Sequence, residues 1–465
     1  MALETSTTTL GRDKLQGLAA QLRGQLLLPG EPGYDDARPV YNAMIDKHPA
    51  LIVRCHDAAD VLAALRFARD HDLPLAIRGG GHNVAGKGTV DGGLVIDLAP
   101  MRNVHVDPQA RTARVGGGAL WGDVDHATHA FGLATPSGII STTGVAGLTL
   151  GGGFGHLSRR FGLSLDNLIE ADVVTADGRL VKASADAHPD LFWALRGGGS
   201  NVGIVTAFTF RLHDVATIYG GPIFYPAEHA QTLLEFYRDW IVDAPREISA
   251  FFAVHQGAPA PFIPEALHFQ PATAFVVCYS GDMSKAEEAV RPFRAIAPAA
   301  LDLLGPMPYP MLQTLFDGLY TPGLQHYWKS DVVHALPDEA IAVHARHAPQ
   351  VPDPWSGAHI YPLTGAIQEV PASATAFPFR DALATHNLLA INPDPAVMDA
   401  RMAWVRAYHA ELRPYADPGG YINFLTEEGD ERVRAAYRGN YPRLVEVKRA
   451  WDPDNVFQIN QNIRP

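Results

Sequence analysis

Residues 76–98 read AIRGGGHNVAGKGTVDGGLVIDL. Two strand-like apolar runs flank a loop in which His82 directly follows Gly79, Gly80 and Gly81 and precedes Asn83. Glycine runs occur where the chain turns sharply or where backbone must approach something closely. Upstream, ALIVRC at 50–55 is a short β-rich run. DAADVLAALRFARDHD at 57–72 opens on a capping Asp and puts Val61, Leu62, Leu65 and Phe67 on one helical face. With LPLAIR at 73–78 as the next strand, the glycines open a loop at a strand end, and residues 50–98 are predicted to form a compact α/β unit.

Downstream, NVHVD at 103–107 and TARVG at 112–116 alternate around PQAR, which predicts a hairpin, and the following segment reads as a helix. A glycine-dense region from Gly138 then feeds an antiparallel pair turned by ADGR at 176–179. Beyond residue 215 the glycine clusters vanish. Strands such as ATAFVVCYS (272–280) and GAHIYPL (357–363) alternate with helices such as SKAEEAVRPFRAI (284–296) and DEAIAVHARHA (338–348). The C-terminal stretch is helical through YPRLVEVKRAW (441–451) and ends on the polar INQNI (459–463). The expected organisation is an α+β protein with a first domain over residues 1–215 and a second, an antiparallel sheet flanked by helices, over 216–415. Residues 416–465 are expected to return to the first domain.

Composition narrows the partners. Thirty-seven Lys and Arg against 50 Asp and Glu give a formal charge of −13, a field that repels nucleic acid and anionic membrane surfaces and leaves a small molecule as the expected partner. No run reaches the length of a membrane span and the N-terminus lacks a basic start with an apolar core, so a cytoplasmic protein is expected; oligomeric state is left open. Cys55 and Cys278 stand far apart with no ligand-type spacing, which predicts neither a disulfide framework nor a metal site.

The glycine clusters fit neither a Rossmann fingerprint nor a P-loop: GGGFG at 151–155 does not sit directly between a strand and a helix early in a βαβ unit, and no Lys-Ser/Thr follows. Three such clusters, the third being RGGGSNVGIVT at 196–206, point instead to a cofactor cradle in which freed N–H groups face a pyrophosphate and Arg78 adds charge.

IRGGGHN, GIISTTGVAGLTLGGGFG, SRRFGLSLDNL, LFWALRGGGSNVGIVT and GNYPRLVEVKRAWDPDNVFQINQNI, in this order, resemble the FAD-linked oxidases of the vanillyl-alcohol oxidase type, and within them the berberine bridge enzyme-like branch that includes bacterial hydroxynicotine oxidases. The resemblance implies a two-part FAD-binding domain and a substrate domain. It implies that FAD is joined covalently to His82. Gly79, Gly80, Gly81, Asn83 and Arg78 would hold the cofactor, together with Thr142, Gly144 and Gly147 in the second block and Gly152, Gly153 and Gly155 after it. Val205 and the amides of Asn460 and Asn462 would complete the set. Many relatives carry a second link through a cysteine where this chain has Ile140, so attachment through His82 only is expected. Thr143 matches the position facing the flavin N5/C4a edge, where a small side chain leaves a path for O2.

On the substrate side the family's YxNY motif, whose second tyrosine takes a proton, is here YINF with Phe424 in that place. Tyr421 remains, expected as a packed strand residue, and aligning FPFRDALATHNLLAIN (377–392) puts His386 where some relatives carry a basic carboxylate. The activity implied is hydride transfer from a small alcohol, amine, phenolic heterocycle or sugar to flavin N5, with reoxidation by O2 to hydrogen peroxide. A biosynthetic tailoring oxidase and a flavin binder without turnover are the alternatives.

Overall fold

A computed structural model describes residues 10–465. The chain builds three main sheets. The first has four strands in the order Gln25–Leu27, Leu51–Arg54, Leu94–Asp97, Leu75–Arg78, the last three parallel. Helix Ala58–Asp70 covers it: Asp57 caps the helix by accepting from the N–H groups of Ala59 and Asp60, and Val61, Ala64, Leu65 and Phe67 are buried, while Leu62 is only half-buried at the margin. Because strand Leu75–Arg78 ends at the sheet's edge, the triple glycine emerges at its C-terminal end.

The second sheet is antiparallel, in the order Val104–Asp107, Thr112–Gly116, Ile204–Arg211, Leu168–Val174, Leu180–Ser184. The expected hairpin turns through Arg111 at positive φ, and the helix after it is Trp121–His129. Val205 belongs to this sheet. The core on its face takes residues from both ends of the chain: Trp121, Phe208 and Phe210 share one cluster with Tyr437, Leu444, Val447 and Ile463. Buried Lys448 donates to the carbonyls of Asn201 (2.8 Å) and Phe457 (2.9 Å) and to Asp452 Oδ2 (2.6 Å), riveting the C-terminal segment beside the third glycine cluster.

The third sheet carries the antiparallel strands Thr217–Pro226, Pro271–Tyr279, Ile248–Gln256, Gly357–Pro362, Ala384–Asn392 and Gln325–Val333, in that order, with short strands Leu301–Asp302 and Gly305–Pro308 at its edge. Helices Ala230–Asp243, Ala286–Ala295, Asp338–His347 and Met398–Leu412 all pack on one face. The other face turns toward the glycine loops. Both faces being covered, all nine residues of Ala384–Asn392 are buried, so the strand shows no polar-out alternation. Among the described residues no helix is long and apolar enough to cross a membrane.

Candidate active site

A cleft between the first two sheets and the open face of the third has an empty volume of about 1580 Å³ counted to its mouth. Its floor is two loops in backbone contact. A Cβ on Gly80 would lie 2.6 Å from the Cα and N of Gly144, and one on Gly144 would lie 2.5 Å from Gly80 N, so only glycine permits this approach. Gly81 turns the first loop at φ +67°, and His82 follows with its side chain in the cleft.

The His82 ring stacks on Tyr41 at 3.6 Å between centroids, and its buried Nε2 has no hydrogen-bond partner. Burial lowers its pKa to about 4, which keeps the imidazole neutral and a nitrogen lone pair free. Asn460 Oδ1, on a residue that lines the cleft, is likewise buried without a partner. Buried polar atoms are normally satisfied, so this pattern fits a polar group held in the cleft.

Gly79, Gly80, Gly81, Asn83, Gly144, Gly147 and Asn460 line the cleft, as do Thr143 and Tyr421. Several expected residues do not. Arg78 is buried against Asp97, with Nη2 3.0 Å from Oδ2, and its Nη1 donates to the carbonyls of Arg38 and Pro39, so its charge is neutralised under the loop and not presented to a ligand. Gly152, Gly153 and Gly155 pack against protein: a Cβ at Gly152 would meet the Tyr421 ring, one at Gly153 Ser164 and Leu148, and one at Gly155 the Ser137 and Gly138 carbonyls. Val205 sits in the core of the second sheet, and Thr142 and Asn462 stand behind the lining.

The placement of His386 as a base is corrected by the sheet's pleat. His386 points to the helix-covered face, where its Nε2 lies 3.4 Å from Asp331 Oδ2. His409 Nε2 lies 2.8 Å from the same oxygen, with Arg413 and Arg432 on Oδ1. Burial raises the Asp331 pKa, but these neighbours outweigh it and hold the carboxylate ionised. The cleft receives Asn387, Leu389 and Ile391 instead, one position out of step.

Tyr421 is not on a strand. It lies in the turn before helix Asp430–Tyr437, and its hydroxyl accepts from Gly153 N–H (2.9 Å) and Asn423 Nδ2 (2.7 Å). With both donors already on its oxygen, Tyr421 is a brace between the glycine block and the C-terminal segment and has no lone pair left for a substrate proton.

The sequence reading missed the cleft's other wall. Tyr41 and Tyr320 come from irregular segments, and His326, Trp328, His359 and Tyr361 come from strands of the third sheet. Only their alternation within GAHIYPL and QHYWKSDVV signals a shared face, and it does not say which face.

Residues 49–184 match the family model described as "FAD binding domain", and residues 420–464 the one described as "Berberine and berberine like". An FAD-linked oxidoreductase of Dictyostelium discoideum is 31% identical over 430 residues, covering 91% of each chain. The (R)-6-hydroxynicotine oxidase of Paenarthrobacter nicotinovorans is 29% identical over 452 residues, covering 96% of this chain and 97% of its own. The crystal structure of 6-hydroxy-D-nicotine oxidase from Arthrobacter nicotinovorans superposes with a TM-score of 0.84 at 28% identity, covering 96% of this chain and 98% of that one. The chain therefore binds FAD and belongs to the berberine-like FAD-linked oxidoreductases.

Proposed function

We propose that the chain is an oxidase of a small hydroxyl-bearing molecule, with its flavin held covalently through His82 alone. The carrying observation is His82 itself: a half-buried, neutral imidazole with a buried, unpartnered Nε2 at the end of the glycine loop. A sulfur link has no candidate, since Ile140 lines the cleft and both cysteines are buried outside it. When bound, the flavin accepts a hydride at N5 and passes the electrons to O2. Tyr41 stacks on the His82 ring and fixes its plane, its hydroxyl held by the Tyr320 carbonyl at 2.6 Å. Thr143, a small residue in the cleft wall, leaves room for O2, which favours peroxide release.

Acid-precipitated protein should stay yellow, and His82→Ala should release its colour; flavin still covalently bound in that variant would overturn the attachment. Anaerobic bleaching by a panel of alcohols and sugars, with peroxide formed on readmitting air, tests the oxidation. Phe424 in the place of the family's proton-accepting tyrosine favours a second reading, flavin binding without turnover. A pure binder is never bleached.

A further inference from the structure

The open face of the third sheet carries a hydrogen-bonded row with a defined proton direction. Tyr361 lines the cleft beside Phe424, their ring centroids 6.0 Å apart, and its hydroxyl lies 2.5 Å from His359 Nδ1. His359 Nε2 lies 2.6 Å from His255 Nε2, and His255 Nδ1 lies 3.1 Å from the Ser356 carbonyl. A carbonyl only accepts, so His255 carries its proton on Nδ1 and, being neutral, offers a lone pair on Nε2. His359 must then donate from Nε2, which leaves its Nδ1 to accept the Tyr361 O–H. Every member thus donates away from the cleft, and the Tyr361 oxygen has lone pairs free to receive a proton from it.

The fold makes room for this row. His255 lies on Ile248–Gln256 and His359 and Tyr361 on Gly357–Pro362, in a register that pairs Ala253 with His359 and sets His255 diagonally to it. A Cβ at residue 357 would fall 2.7 Å from His255 Nδ1, so Gly357 is the gap into which the ring folds. Phe251 and Phe316 flank His359, burial lowers the pKa of both histidines, that of His255 to about 4, and the Asp353 carboxylate favours the protonated form of His255.

We infer that Tyr361 is the catalytic proton acceptor of the oxidation, with His359 and His255 as positioning residues that carry its proton into the sheet, and that the substrate is an uncharged, planar carbinol. The inference rests on the oxidase reading. As the carbinol C–H leaves as hydride to the flavin, the substrate O–H proton passes to Tyr361, the Tyr361 proton to His359 Nδ1, and the His359 Nε2 proton to His255 Nε2. The C–O bond becomes C=O, two electrons leave with the hydride, and the positive charge ends on His255. The substrate class follows from the wall: Phe154, Trp328, Tyr361 and Phe424 are aromatic, and among the described residues lining the cleft there is no Asp or Glu and one cation, Lys87.

The test uses the holoenzyme with benzyl alcohol, cinnamyl alcohol, 2-(hydroxymethyl)pyridine and glucose. At least one aromatic carbinol should bleach the wild type anaerobically. Tyr361→Phe should slow bleaching about 10²–10⁴-fold at unchanged flavin content. His255→Gln should lower the maximal bleaching rate at least about tenfold without raising the half-saturating alcohol concentration, which a packing defect would not separate. Independently of turnover, ¹⁵N-histidine spectra of the oxidised protein should show His359 protonated on Nε2 and His255 on Nδ1. The opposite tautomers, or parental bleaching in Tyr361→Phe, overturn the relay. Bleaching by glucose alone overturns the substrate class. Bleaching by none of the four counts against the oxidase reading, and the nitrogen spectra then decide the relay by themselves.

Discussion

Lys448→Met removes the rivet that holds the C-terminal segment to the FAD site. The Lys448 ammonium and the Asp452 carboxylate are both 0% exposed, and Nζ makes three charge-assisted hydrogen bonds, to Asp452, Asn201 O and Phe457 O. Without it Asp452 still accepts from Val456 N–H and Phe457 N–H, at 2.7 and 2.9 Å, but is a buried charge with no counter-ion. Breaking one side of a buried pair costs about 3–5 kcal/mol. A chain this long does not unfold in two states, so the assay is hydrogen exchange on the holoenzyme, read locally. At ~1.4 kcal/mol per tenfold, amides of residues 452–463 should exchange about 10²–10⁴-fold faster, while those of strand Ile248–Gln256 stay as they were. Adding Asp452→Asn removes the stranded charge while keeping an acceptor for one of the two N–H groups, so the double variant should recover part of the protection. Unchanged exchange in the single variant, or a double variant worse than the single, would refute the reasoning.

Four further outcomes follow from the site. His386→Ala should leave the rate of flavin reduction at the parental value and lower the thermal midpoint, since the ring serves the Asp331 cluster; a crippled reduction step would return His386 to the reaction. Gly80→Ala pushes a Cβ into the backbone of Gly144, a clash costing about 1–3 kcal/mol or more, and should be seen as loss of bound flavin on purification. Tyr421→Phe orphans the Gly153 and Asn423 donors and should destabilise by about 1–3 kcal/mol without changing the pH profile of reduction. Burial holds the His255 pKa at about 4, with Asp353, His359 and Tyr320 facing the ring, so its accepting form persists as pH falls from neutral. Stopped-flow flavin reduction should therefore be flat through the ordinary histidine range near ~6.5 and fall only as pH approaches 4, whereas a drop near 6.5 would point to an exposed base.

The sequence by itself determined the elements whose signals are local. Asp57 caps a helix because its side chain reaches the next two N–H groups. The TARVG hairpin registers by simple alternation, and the triple glycine before His82 marks a close backbone approach, at Gly80, where no side chain fits. These depend on neighbours within a few residues and are legible wherever one face of an element meets water. The tertiary structure decided the rest. Strand Ala384–Asn392 is covered on both faces, so nothing in its composition says whether His386 or Asn387 turns to the cleft, and a one-residue slip exchanges them. GGGFG reads as a cradle but is packed against protein, because the Tyr421 ring, Ser164 and the 137–138 carbonyls arrive from elsewhere in the chain. Arg78 reads as a free charge until Asp97, on the neighbouring parallel strand, neutralises it. His255 and His359 form a row because antiparallel pairing sets two distant residues on one diagonal, with Gly357 vacating the space between. Pairing energies of this kind belong to contacts across the sheet, and a contact between residues about a hundred positions apart leaves no periodicity in the sequence from which it could be read.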